Sequence, residues 1–326
     1  MVHGSRDRGW ALVALYFGLC ACCGAAPGRG PGSATVAVVH SDALALPKSL
    51  LAPLSVYPLG KLDSRVVAVM MDRAAMLATG TTRIDDAWRS LAGPSDRVGI
   101  LLDAQDPPAS LDIVDVLIDR LVRVGVRAAN VVIWAQDERV LFSAGLLVGS
   151  NPDGVGTLGA DSEGYRGGLS RIVVDECDVL INLARLRVKP RLGLWGALAN
   201  LLACVPEDER IRLMANPAEL ASVAARPSAK RKFVLHLLDA MQPNYAPGPV
   251  SIPPYWQCGA ILASRDAVAL DCSGQQLLED ERGQVKGAPW PLEPAPSYLK
   301  AACETYNVGQ CDPAKVTVLK SEVGAP

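Results

Sequence analysis

Two patterns of apolar residues take turns along this chain. Short uninterrupted apolar runs, of the kind a strand shows when both faces are covered, fall at Ala34–His40 (ATVAVVH), 97–103 (RVGILLD), 130–135 (NVVIWA), 179–181 (VLI), 233–238 (FVLHLL), 259–263 (GAILA) and 316–319 (VTVL). Between them lie stretches with apolar residues at helical spacing. Ser64–Thr79 stops at Gly80, and 111–124 follows the capping-type residue Ser110 and stops at Gly125. Further helices are predicted at 207–225, broken at Pro217, at 268–278 and at 298–306. Strand, helix, strand over 97–135 has the lengths of a βαβ unit, whose strands run parallel. The whole order predicts an α/β fold of three layers with a mostly parallel central sheet. The glycine-rich stretch 145–168 lacks an apolar period and reads as a long surface loop of the lid or binding type.

The densest chemistry follows Val179, Leu180 and Ile181. That run ends in Asn182, and Arg185, Arg187 and Lys189 come next, with apolar residues from 192 to 205 beyond them. The pattern predicts a buried strand that opens into a basic turn and then an apolar helix, a common way to build a ligand site at the carboxyl edge of a sheet. Asp103, Asp137, Asp239 and Asp266 stand at or just past the ends of other predicted strands, so they are expected to converge there with Asn182, Arg187 and Lys189. Carboxylates among guanidinium and ammonium groups suit a small anionic molecule or a divalent cation held through oxygen ligands. The acids also have a plainer use, since Asp137, Asp239 and Asp266 are placed to cap the helices that follow. Asp271 reads as a salt-bridging or solvent residue, Arg185 as surface, and His236 as a hydrogen-bonded structural histidine.

Composition narrows the function classes. Lys and Arg number 32 against 34 Asp and Glu, a net charge of -2, so no field over the whole molecule draws it to nucleic acid. The cluster Arg226, Lys230, Arg231, Lys232 reads as a solvated loop. The chain has no GxSxG elbow and no P-loop. Beyond residue 33 the histidines are His40 and His236, too separated for a transition-metal cluster, and no metal site is predicted.

Arg6 and Arg8 precede an uncharged apolar run from Trp10 to Cys23, followed by a Pro/Gly-rich stretch. This is the order of a signal peptide, and the run is shorter than the roughly 20 residues a bilayer span needs. Residues 1–33 are therefore expected to be signal peptide and linker, and 34–326 a single α/β domain. The protein is expected to be exported, either periplasmic or held to the cell envelope by a lipid on Cys22, because Leu19-Cys20-Ala21-Cys22 resembles a bacterial lipobox. Gly24-Ala25-Ala26 would suit ordinary cleavage instead. An oxidising compartment permits disulfides among the remaining cysteines. Cys303 with Cys311 closes the shortest loop and is the favoured pair, with Cys258 and Cys272 next. No CxxC spacing occurs beyond residue 33, so no iron–sulfur cluster and no other cofactor is expected.

RVGILLD, NVVIWA, ECDVLINLARLRVK, GALAN, FVLHLLDAM and GAILASRDAVALD, taken in that order, resemble the domain of unknown function 362 family of bacterial and archaeal proteins over roughly residues 36–319. The resemblance implies an α/β fold, frequent export and no agreed activity. The family usually reads INLPxLKxH and then GxTGALKN. Asn182 and Asn200 match, and on that basis Asn200 joins the candidate ligand-binding residues. Ala184 stands for the proline, Arg187 for the lysine, Lys189 for the histidine, Trp195 for the threonine and Ala199 for the second lysine. These changes remove a group that titrates near neutrality and a point charge suited to phosphate, while Arg187 keeps its cation. Three function classes follow: a binder of a small anion or divalent cation, an enzyme using Asp103, Asp239 or Asp266 as base or metal ligand, and a redox protein working through its cysteines.

Overall fold

The computed structural model describes residues 32–44, 62–105, 107–246 and 255–324. The signal segment and the lipidation candidate Cys22 lie outside the described residues. Ala34–His40 forms β1 and Ser64–Thr79 forms α1, with the bounds the apolar pattern predicts. The α1 helix starts where the Asp63 carboxylate accepts the Arg65 amide, and it stops at Gly80, whose φ of 71° is the left-handed conformation glycine adopts without strain. Next come α2 (Ile84–Arg89), β2 (Val98–Leu102), α3 (Leu111–Arg123), β3 (Val131–Ala135) and α4 (Glu138–Ser143).

The stretch read as a loop is built otherwise. Gly156–Gly159 forms β4 at the edge of the sheet, followed by α5 (Ala160–Glu163) and a small hairpin of β5 (Tyr165–Arg166) and β6 (Leu169–Ser170). Gly159 serves a close approach, since a Cβ there would come within 2.9 Å of the Glu138 amide.

The larger correction concerns the centre of the chain. β7 runs Val179–Lys189, straight through Asn182, so Arg185, Arg187 and Lys189 lie in a strand and not in a turn. They alternate with Leu186 and Val188, the two-residue period of a strand with one polar face. β8 (Gly193–Trp195) folds back antiparallel on β7, and the helix predicted over 192–205 shrinks to α6 (Ala197–Asn200) and a 3-10 turn at Leu201–Cys204. Then come α7 (Glu207–Ala215), a 3-10 turn at Pro217–Glu219 where the break was predicted, and α8 (Ser222–Ala225). The basic cluster predicted as a solvated loop is mostly the short helix α9 (Pro227–Lys232), and Lys232 Nζ donates to the carbonyls of Val174 at 3.0 Å and Cys177 at 2.7 Å. The remaining elements are β9 (Phe233–Asn244), β10 (Ala260–Ser264), α10 (Ala267–Lys286), α11 (Ser297–Glu304) and β11 (Val316–Glu322).

The main sheet has the order β11-β1-β10-β9-β7-β2-β3-β4, with β8 beside β7. Only β10 and β8 run against the others, so the sheet is mostly parallel. Alternate strand residues enter two separate cores, which is what makes the fold three-layered. Ile100, Leu102, Ile181 and Leu183 pack with α1 and α3 on one face, while Leu101, Leu180, Ala184 and Leu186 pack with α6, α10 and α11 on the other.

On the first face a buried carboxylate joins three helices. Asp72 of α1 accepts from Trp88 Nε1 of α2 at 2.9 Å and from Arg120 of α3 at 2.7 and 2.9 Å. Removing it strands a guanidinium and an indole N–H together, so Asp72→Ala is expected to lower stability by roughly 3–5 kcal/mol. Urea unfolding checks this, and a loss under about 1 kcal/mol would show that the tie is dispensable.

Candidate functional site

Because β2, β3, β7 and β9 are parallel, their carboxyl ends share one rim. Asp103 lies there, fully buried, and its Oδ2 accepts three donors: the Arg185 amide at 3.1 Å, Trp195 Nε1 at 3.0 Å and Arg187 Nη2. The carboxylate therefore binds the end of β2 to β7 and β8. Ile181 and Leu183 face the α3 side, and Arg185, Arg187 and Lys189 continue that face beyond the core, so one side of β7 changes from apolar to cationic as it crosses the rim.

Arg187 is 4% exposed and spends only Nη2 on Asp103. Its Nε and Nη1 have no hydrogen-bond partner. Arg185 is also buried, donating to the carbonyls of Pro108 at 3.2 Å and Gln242 at 2.6 Å, with its guanidinium 5.7 Å from the centre of the Tyr255 ring. Burial pulls the Arg185 guanidinium down to about 9, against the attraction of Asp239 and with the repulsion of Arg187. The expectation that Arg185 is plain surface is therefore corrected. Lys189 Nζ lies 5.4 Å over the Trp195 ring and 3.4 Å from Gln105 Oε1.

A shallow cleft of about 10 Å³ opens beside Asp103, lined by Asp103, Gln105, Gln136, Trp195 and Asn200 among others. That is room for about one water molecule, and Arg187 borders the cleft only through its partner Asp103. Asp239 and Asp137 share the rim but are committed. Asp239 accepts the Ser110 amide at 2.8 Å and the Met241 amide at 2.9 Å, so the start of α3 is held by Asp239 while the Ser110 side chain makes no capping bond. Asp137 accepts the Val140 amide at 3.0 Å and caps α4.

Asp266 does not reach the rim. β10 runs against its neighbours, so its end carries Asp266 to the opposite side of the sheet, where the carboxylate caps α10 through Val268 and Ala269 and accepts the Gln310 amide at 2.9 Å. Asn182 and Asn200 lie at mid-strand depth in a buried polar layer. Asn182 Nδ2 donates to the Ala197 carbonyl at 2.8 Å and lies 3.2 Å from His236 Nδ1, while Asn200 Nδ2 donates to Asn182 Oδ1 at 2.8 Å. Burial pulls His236 down to about 4, so the ring is neutral at ordinary pH.

Asp271 corrects another expectation. It is fully buried, and its two oxygens accept the amides of Ala197 at 2.6 Å and Leu198 at 2.9 Å, which fixes the start of α6. Burial lifts its carboxyl to about 7, opposed by those two amide bonds. The signal for it was an acid inside the apolar run AVALDC, where a solvent-facing residue has no place. Trp195, Gln105 and Gln242 were also missed. Trp195 pairs across from Arg187 and is legible only once β7 is extended to Lys189.

Cys303 and Cys311 form a disulfide with Cα atoms 6.1 Å apart. The second proposed pair is corrected, because Cys258 and Cys272 are both free. Burial pushes Cys272 up to about 12 and raises Cys258 too, so neither is a ready thiolate. Among the described residues no group of three His, Cys, Asp or Glu side chains could hold a metal ion.

The fold and this rim define an α/β protein with a cationic, incompletely satisfied site at the carboxyl edge of its sheet. Residues 169–275, which hold β7, β9, β10 and the polar layer between them, match the model of the domain of unknown function 362 family, about a third of the chain. No curated protein matches the chain. Among solved structures, one similar chain is a Thermotoga maritima protein determined by the Northeast Structural Genomics Consortium, with 6% identity and a TM-score of 0.35. The alignment covers 71% of this chain and 61% of that one.

The polar layer has a pH signature of its own. A histidine pulled below its ordinary 6.5 favours the fold while neutral, so its contribution is present above that value and is lost as the pH falls through about 4. The stability advantage of the wild type over His236→Gln in urea is thus expected to be larger at about pH 7 than at about pH 4.5. An advantage that grows on acidification would contradict the neutral buried ring.

Proposed function

We propose that this protein binds a small anion at the carboxyl rim, with the Arg187 guanidinium as the principal contact. The observation that carries this reading is the pair of buried Arg187 nitrogens without a partner. A buried cation half satisfied by one carboxylate is costly, and an oxyanion or carboxylate supplies the missing acceptors. The cleft next to Asp103 and Trp195 holds little more than one water molecule, so the reading rests on the Arg187 nitrogens and not on a preformed cavity. A divalent cation is the weaker fit, since Arg185, Arg187 and Lys189 all face this rim.

Catalysis by the strand-end aspartates has less support than binding. A general base needs an oxygen free to take a proton, and both Asp239 oxygens hold backbone amides, while Asp103 Oδ2 accepts three donors and leaves only Oδ1, which takes the Gln105 amide at 3.4 Å, in a side chain that is fully buried. The redox reading has less still, because Cys258 and Cys272 are unpaired and burial disfavours their thiolates.

Export is part of the same proposal. It is supported by the charged start, apolar run and Pro/Gly-rich stretch of residues 1–33, and the Cys303–Cys311 disulfide suits an oxidising compartment. Among the described residues no helix is long and apolar enough to cross a membrane, and attachment through a lipid on Cys22 is the form of membrane contact we favour.

The test uses inorganic phosphate and sulfate as probes in thermal shift and calorimetry, on the wild type and on Arg187→Met. A ligand that binds only the folded state raises the midpoint by mass action, and the variant is expected to bind at least about tenfold more weakly. Equal shifts in both proteins would remove Arg187 from the site, and with it this reading.

A further inference from the structure

Eight buried side-chain atoms in the described residues have no hydrogen-bond partner, and five of them gather on this one rim: Ser41 Oγ, Arg187 Nε and Nη1, Gln242 Oε1 and Gln257 Nε2. The backbone joins these positions. The Ser41 amide donates to the Gly259 carbonyl at 3.0 Å, and the Gly259 and Cys258 amides donate to the Met241 carbonyl at 2.9 and 3.1 Å. The Trp256 amide donates to the Pro243 carbonyl at 2.9 Å, so Gln242 and Gln257 stand opposite one another on paired segments. The Gln242 carbonyl in turn accepts from Arg185, two residues before Arg187 on β7.

Neutral buried amides are normally satisfied within the protein. Gln242 is 7% exposed, and its acceptor and the Gln257 donor leave each other unpaired. Turning either amide over exchanges its two roles without removing the need for a partner. A bare oxyanion answers Arg187 but offers no hydrogen to Gln242, whereas a hydroxyl both donates and accepts.

We infer that the anion held at Arg187 carries a hydroxyl beside its charge, the class to which hydroxylated phosphate esters and sugar acids belong. Its charged end takes the free Arg187 N–H groups, and its hydroxyl donates to Gln242 Oε1 and accepts from Gln257 Nε2. The register pairs Arg187 with Asn244, so Gln242 lies diagonally across on the adjacent strand, about 8 Å away between Cα atoms from a strand spacing of about 4.8 Å and a two-residue rise of about 6.6 Å, a gap that the two long side chains and a three-carbon ester span together. This inference rests on the anion-binding reading and narrows its ligand.

Calorimetry on the full chain with inorganic phosphate, propyl phosphate and glycerol 3-phosphate tests it. The wild type is expected to bind the glycerol ester about tenfold more tightly than the propyl ester, the worth of one or two well-made hydrogen bonds. In Gln242→Met and Gln257→Met that preference is expected to fall to about twofold, with phosphate binding unchanged. Should the buried Gln242 variant fail to fold, the partly exposed Gln257 variant carries the comparison. Equal binding of the two esters, with phosphate affinity still dependent on Arg187, overturns the hydroxyl and leaves the anion site standing. A preference that survives both substitutions overturns the role of the glutamines. Binding of none of the three probes overturns the inference and the anion site together.

Discussion

The rim depends on one buried carboxylate. Asp103 follows β2, yet its Oδ2 collects an amide of β7, a guanidinium of β7 and an indole of β8. An ionised oxygen in that position is tolerated only with opposite charge and good donors around it, so the residue at 187 has to be a cation with reach. Arg meets that demand and brings more nitrogens than the carboxylate can use. The requirement that stabilises the junction of three strands thus also leaves donors pointing at no protein group. In the proposed reading, stability and recognition share this side chain.

A second polar layer lies deeper and does different work. Asn182, Asn200, His236 and Asp271 fix a four-residue helix that would have little reason to form alone. Asp271 supplies the acceptors for the first amides of α6, and Gly196 is required there because a Cβ would come within 2.3 Å of Asp271 Oδ1. The two asparagines shared with the family pattern therefore hold the frame, although Asn200 also reaches the wall of the cleft. On the cationic face of β7, by contrast, Arg187 Nε and Nη1 have no hydrogen-bond partner.

Much of the frame was legible from apolar runs, since a covered strand and a one-sided helix leave different periods. Ala34–His40 and Ser64–Thr79 are found at the bounds their pattern predicts. The reading failed where charge entered a buried strand. Arg185, Arg187 and Lys189 look like a solvated turn until Asp103 and Asp239, distant in sequence, are known to lie beside them. Direction was equally invisible. GAILA reads as a strand whichever way it runs, and the reversal of β10 is what carried Asp266 away from the other acids. Asp239 was recognised as a possible cap, but it holds the helix of another strand because β2 and β9 bring their ends to the same rim. The carboxyl edge was in the right place. Its donors and acceptors came from pairings that no local pattern encodes.

The direction of β1 sets one more relation. It lies between β10 and β11 and runs parallel to β9, so Ala34 enters the sheet on the rim opposite Arg187 and the strand crosses to His40, about 20 Å away at strand rise. Any tether attached ahead of Ala34 would therefore hold the molecule by its far end. The mouth of the cleft would look outward, away from whatever surface holds the chain, and a solute could arrive without passing between protein and support.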